Sequence, residues 1–268
     1  MEATSEAPRS RAWLVKGVGV LVAIYVVVIL ALMWWWDYEP PHFDVATAAQ
    51  ARVVAKNQKL VAGSVTVSTV IDCAQTLLDK RGGYLSNDKF PPGVLMDNVP
   101  NWEFGVIVAT RDLSDALRNE FSRSQTQSTE DSDLKEAAPL FNSPNDRWLL
   151  PASERQYRKA IGFMDSYVTR LADNILQDAQ FFALADNLSD YRHTVSTRLG
   201  SLSHRLSASV GQERIDTDLA GDPNAQQSTP STSPRIVKTP WSQIDDNFYE
   251  ARGYTWALRE QLEAIRID

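Results

Sequence analysis

The residues best equipped for chemistry gather between Tyr84 and Asp112. Asp97, Asn98, Asn101, Trp102 and Glu103 stand close together, with Asp88 before them and Arg111 and Asp112 after. Two carboxylates held roughly 5–10 Å apart can cleave a glycosidic bond. On that reading Glu103 is the general acid, Asp97 its carboxylate partner and Trp102 a stacking platform for sugar. Asn101 and Arg111 would add polar contacts, and Arg123, in the polar run Arg123–Asp131, could hold an anion. A plainer reading competes with it and takes precedence. Asp97 and Asn101 would make turn or cap hydrogen bonds, and Glu103 would lie in the first turn of a helix, where carboxylates are common.

Other chemistries find less support. His193 and His204 are eleven positions apart, about 16 Å along one straight helix, too far to share a metal. His42 falls near the end of a long apolar stretch and is expected at a membrane interface. Cys73 is the single cysteine; it can form no internal disulfide, and on the apolar side of a helix it reads as a buried thiol. There is no G-x-S-x-G elbow, Walker loop or G-x-G-x-x-G fingerprint. Neither a cofactor nor a metal site is expected, and the balance leans away from an enzyme.

The elements that must position these residues begin with Gly17–Trp36, GVGVLVAIYVVVILALMWWW, uncharged between Lys16 and Asp37. About twenty such residues as a helix span about 30 Å, the thickness of a bilayer's hydrocarbon core. Trp13 at one end and Trp34, Trp35, Trp36 and Tyr38 at the other form aromatic belts. Arg9, Arg11 and Lys16 precede the span, while Asp37, Glu39 and Asp44 follow it. Positive-inside bias therefore puts residues 1–16 in the cytoplasm and the rest beyond the membrane. No small-x-small cleavage site follows the apolar stretch, so it is expected to be retained as an anchor rather than removed as a signal peptide. Gly19 and Ala23 are spaced as a small-xxx-small pair that would let two spans pack closely.

Removing residues 1–36, with their three basic and two acidic side chains, leaves 24 Lys and Arg against 32 Asp and Glu, a balance of −8. A surface of that sign disfavours nucleic acid. The exported chain reads as all-α: a helical domain over 37–210, a disordered linker over 211–240 rich in Asp, Gln, Ser, Thr and Pro, and an amphipathic helix over 241–268. Within the domain, helices are expected from Asp44 to about Val61, Ser64 to Lys80 and Trp102 to about Ser122. A short acidic helix capped by Thr129 or Ser128 should end at Pro139. Gly82-Gly83 supplies a left-handed cap, and Tyr84–Asn101 is an irregular loop, the first place to seek a site. Ser153-x-x-Gln156 looks like a capping box. It opens a heptad seam of Tyr157, Ile161, Met164, Val168, Leu171 and Ile175. A second seam runs Leu188, Tyr191, Val195, Leu199, Leu202, Leu206 and Val210. A break between the seams is favoured near Asp173–Asp178, and Gly211 should stop the second helix. Such seams can pair with a partner or a second copy, but a bundle core uses the same spacing, and that reading is preferred.

The segments LLDKRGGYLSND (77–88), PPGVLMDNVPNWEFG (91–105), RSQTQSTED (123–131), RLGSLSHRLSASVGQ (198–212) and FYEARGYTWAL (248–258) resemble, in that order, the bacterial inner-membrane domain-of-unknown-function family 2333. The resemblance implies a single-span Gram-negative protein with a periplasmic helical domain, and it carries no activity to this chain. It also implies further helices beyond Trp256-Ala257-Leu258. With the chain stopping at Asp268, the seam of the last helix is expected to be partly uncovered. The reading that follows is a structural or interaction module of the cell envelope, anchored in the bilayer through residues 17–36. Its partner would be an envelope protein or a second copy. The alternative is a protein that binds or cleaves cell-wall glycan with the 84–112 region.

Overall fold

A computed structural model describes residues 9–124, 129–173, 178–214 and 235–268. Helix α1 (Arg9–Trp36) contains one stretch, Trp13–Trp36, long and apolar enough to cross a membrane. Its side chains from Trp13 to Val28 are exposed, and only the last turns touch the rest of the chain. There the Arg81 guanidinium lies over the Trp35 ring at 4.5 Å and the Tyr38 ring at 4.0 Å. Gly82, at φ +81°, lies against Trp36, where an added Cβ would stand 2.7 Å from the indole. The predicted left-handed glycines thus also seat the end of α1.

After Trp36 the chain runs extended to Asp44, whose carboxylate caps α2 (Val45–Ala55) by accepting from Thr47 N at 2.6 Å. Trp256 Nε1 donates to Pro40 O at 3.1 Å. His42 stacks on Trp256, with ring centroids 5.9 Å apart, and its Nδ1 is 2.5 Å from Glu260 Oε1. A carboxylate on a distant helix thus holds the ring, whose side chain stays 44% exposed. Helix α2 also stops short of Val61, turning at Asn57 with φ +55°.

Helix α3 (Ser64–Asp79) buries both flanks, including Val67, Val70, Ile71, Ala74, Leu77 and Cys73. Helix α4 runs Asn98–Ala116 and continues as a π-turn over Leu117–Phe121. It starts four residues before the expected Trp102, since Pro100 falls in the first turn, where a missing N–H costs no intrahelical bond. Helix α5 (Ser132–Phe141) is capped by Asp131, which accepts from Asp133 N at 2.9 Å and Leu134 N at 3.2 Å. Thr129 does not serve as the cap, and Ser128 lies outside the described residues. Nor does Pro139 end α5. It removes one late bond, and burial of Phe141 carries the helix past it.

Helix α6 (Ser153–Leu171) packs on α3 and α5 through Tyr157, Ala160, Met164, Tyr167 and Val168. Its N-cap position is Ala152, so the expected capping box is absent. The Ser153 hydroxyl instead ties the preceding turn, donating to Pro144 O at 2.8 Å and accepting from Arg147 N at 3.1 Å. The two seams are two helices, as favoured: α6 ends at Leu171 and α7 (Ala185–Ser207) follows, while Ile175 lies outside the described residues. In α7 only Tyr191, Val195 and Leu202 of the seam are buried. Leu188, Leu199, Leu206 and Val210 are exposed, so the expected core seam is half covered. The helix ends at Ser207, ahead of Gly211.

Residues 212–214 and 235–237 form a two-stranded antiparallel ribbon, β1 and β2, with Glu213 opposite Ile236. At these two ends the expected disorder is replaced by paired backbone; the residues between them lie outside the described ones. Helix α8 (Ile244–Ile267) then runs along α4 in the most extensive helix–helix contact of the molecule. Gly105 and Gly253 let the two backbones touch: a Cβ at Gly105 would stand 2.1 Å from Glu250 O, and one at Gly253 1.9 Å from Trp102 O. Of the last helix's seam, Ala251 and Leu258 are buried while Phe248 and Leu262 are exposed, so it is partly covered. The chain is all-α apart from the small ribbon.

Candidate functional site

Glu103 sits on α4 facing the end of α3 and the loop that follows it. Its side chain is 0% exposed and that of Lys80 is 1%, and Lys80 Nζ lies 2.6 Å from Glu103 Oε1. The carboxylate also accepts from Leu85 N at 2.8 Å, Ser86 N at 2.7 Å and Ser86 Oγ at 2.5 Å. Lys80 Nζ donates in addition to Gly83 O. Burial pushes the Glu103 carboxyl above its ordinary range, opposed by the Lys80 ammonium and the three donors. Every lone-pair direction is occupied from within the chain, an arrangement that pins the 84–98 loop to α4. It offers no face from which to protonate a leaving group.

The loop is stitched on its other side as well. Tyr84 Oη donates to Asn145 O at 2.8 Å, and Asn87 Nδ2 donates to Arg147 O at 2.8 Å and Glu154 Oε2 at 2.6 Å. Side-chain hydrogen bonds therefore tie the 84–98 and 142–152 segments to each other.

The remaining nominated residues are distributed rather than convergent. Asp97 Oδ1 accepts from Asn98 N at 2.8 Å at the start of α4. Asn101 Nδ2 donates to Asp97 O at 3.0 Å and to Asp246 Oδ1 at 2.6 Å, linking α4 to the first turn of α8. Trp102 is 2% exposed and meets Trp256 edge to face at 5.3 Å. Arg111 donates to Phe141 O and Ser143 O, both at 2.7 Å, closing the end of α5 onto α4. Arg123 is half-buried after the π-turn. Cys73 is fully enclosed, and burial pushes its thiol far up, the condition of an inert thiol. Among the described residues no three His, Cys, Asp or Glu side chains gather as metal ligands.

Two polar clusters escaped the sequence reading. Arg198 of α7 donates to Asp112 of α4 through Nε and Nη2, both at 3.0 Å, and Tyr254 Oη of α8 donates to the same carboxylate at 3.3 Å. This joins three helices, and Asp112 in turn raises the Arg198 guanidinium. The second cluster is a cavity of about 210 Å³ where the chain leaves α1. Asp37, Tyr38, Glu39, Val99, Trp102, Tyr249 and Arg252 line it. Arg252 Nη2 stands 2.6 Å from Glu39 Oε2, and Trp102 Nε1 is buried with no acceptor among the described residues. The available signal was the pair of carboxylates directly after the aromatic belt; what they face comes from the far end of the chain.

No curated protein and no solved structure matches the chain. A family model does, over residues 8–268, and the chain belongs to the family described as "Uncharacterized protein conserved in bacteria (DUF2333)".

Proposed function

We propose that this is an interaction module of the bacterial cell envelope. The single helix spans the inner membrane with its N-terminus in the cytoplasm, the acidic helical domain stands in the periplasm, and α7 receives a partner. The charge asymmetry supports the orientation: Arg9, Arg11 and Lys16 before the span, Asp37, Glu39 and Asp44 after it. The observation that carries the function is the flank of α7. Leu188, Leu199 and Leu206 repeat at helical spacing and remain 43%, 38% and 37% exposed beside the buried Tyr191, Val195 and Leu202. A leucine row of that kind is what a second helix covers in a knobs-into-holes contact. A second copy is the favoured partner, because Gly19 and Ala23 in the exposed span offer a matching close approach.

A photo-activatable residue at Leu199 of the full chain, irradiated in bacterial membranes, tests the proposal. An adduct of twice the chain's mass, lost when Leu206 is changed to Asp, is expected. An adduct of another mass points to a separate envelope partner, and the absence of any adduct from Leu199 overturns the reading. The glycan alternative would require Glu103 to leave Lys80 and open to solvent, and no specific observation favours it.

A further inference from the structure

The membrane-side end of the domain carries a second apolar surface besides α1. Phe90, Val94 and Leu95 in one loop and Trp148, Leu149 and Leu150 in another are all exposed, Leu150 at 92%. The two loops form one surface: the Phe90 and Trp148 rings meet edge to face at 5.8 Å, and the Asn87–Arg147 hydrogen bond lies just behind them. Six large apolar side chains presented together are more than the scattered exposure of an ordinary surface.

Its height relative to the bilayer is set by α1. Leu95 and Met96 line one cleft with Met33 and Trp34 of the last turn of α1, and Arg81 and Gly82 fix that turn against the same part of the domain. Trp34 and Trp35 form the outer aromatic belt, which sits at headgroup level. Leu95 beside Trp34 brings the first loop to that level, and the Phe90–Trp148 contact carries the second loop with it. Lys89 and Arg147, both exposed, flank the apolar tips where lipid phosphates lie. The far end of α6 is well away from this surface, since the helix starts beside it at Ser153 and is about 28 Å long over its 19 residues.

We infer that the 90–95 and 148–150 loops insert together into the outer leaflet of the membrane that α1 crosses, as a monotopic second foot that holds the domain upright on the bilayer. This rests on the membrane-anchor reading above, and continuity with α1 is what selects lipid over a protein as the occupant. Two attachments restrain the tilt that a single helix would leave free.

The test uses the full chain reconstituted in vesicles of phosphatidylethanolamine and phosphatidylglycerol. Single nitroxide labels are placed at Leu95→Cys, Leu149→Cys, Val22→Cys in α1, and Ser166→Cys near the far end of α6. Cys73 is enclosed and stays unlabelled. Collision rates with oxygen and with a water-soluble nickel chelate report depth. The Leu95 and Leu149 labels should be several-fold less accessible to nickel than the Ser166 label and should favour oxygen, as the Val22 label does. If Val22 is immersed and both loop labels match Ser166, the loop insertion is overturned while the anchor stands. If Val22 itself is exposed to nickel, the anchor reading fails and this inference with it. All four positions are exposed, so the substitutions leave the core untouched.

Discussion

Gly253 lies so close to the carbonyl oxygen of Trp102 that a Cβ there would stand 1.9 Å from it. Helices α4 and α8 cross backbone to backbone at this point and at Gly105. Neither carbonyl can yield as a flexible side chain would, so Gly253→Ala and Gly105→Ala each force the helices apart. A loss of about 3 kcal/mol is expected in denaturant unfolding. Gly162→Ala, on α6 with open space around it, is the internal control and should gain about 0.5–1 kcal/mol from helix propensity.

Glu103→Gln leaves the Lys80 ammonium enclosed without its counter-charge. Breaking a buried pair this way costs about 3–5 kcal/mol, so the variant should show a much lower denaturation midpoint. Lys80→Met combined with Glu103→Gln removes the stranded charge while the amide oxygen still accepts from Leu85 and Ser86. The double variant should be more stable than Glu103→Gln alone. A catalytic Glu103 would give the opposite pattern, normal folding of Glu103→Gln with loss of activity.

Burial raises the carboxyls of Asp72, Glu103 and Asp115 above the ordinary value near 4. The folded state then holds protons more tightly than the unfolded chain. Stability rises as pH falls through the raised folded-state pKa values and levels off near the unfolded ones, about pH 4. Thermal melts followed by circular dichroism should show a higher Tm at mildly acidic than at neutral pH. A Tm that falls on mild acidification would refute the assignment.

On α7 the two halves of the seam should behave differently. Leu202→Ala, at a buried position, should cost about 2–4 kcal/mol. Leu206→Asp, on the exposed flank, should change monomer stability by less than about 1 kcal/mol and yet abolish the adduct formed from the photo-activatable residue at Leu199. Unfolding curves and cross-linking on the same preparations separate the effects.

Much of this architecture was legible along the chain because it depends on local spacing. The uncharged run from Gly17 to Trp36 identifies the one long apolar helix among the described residues. The glycines at 82 and 83 mark the end of α3 through a backbone conformation that side chains resist. The capping role of Asp97 also follows from neighbours in sequence. Where local signals failed, something nearby but nonlocal outbid them: Ser153 was drawn off to the 144–147 turn, and Pro139 was carried through by the burial of Phe141.

What only the tertiary structure decided is what each polar side chain faces. Glu103 reads alone as a candidate acid, and becomes half of a buried pair because α3 delivers Lys80 to it. His42 carries no partner in its own stretch of sequence, and Glu260, from the last helix, is brought beside it. Gly105 against Glu250 and Gly253 against Trp102 join the middle of the chain to its last helix, the cavity between Asp37–Glu39 and Tyr249–Arg252 joins its two ends, and periodicity describes one helix at a time. It predicts that a face will be buried. Which helix covers it depends on the total packing, and so did the exposure of Leu199 and of Leu95 beside Trp34.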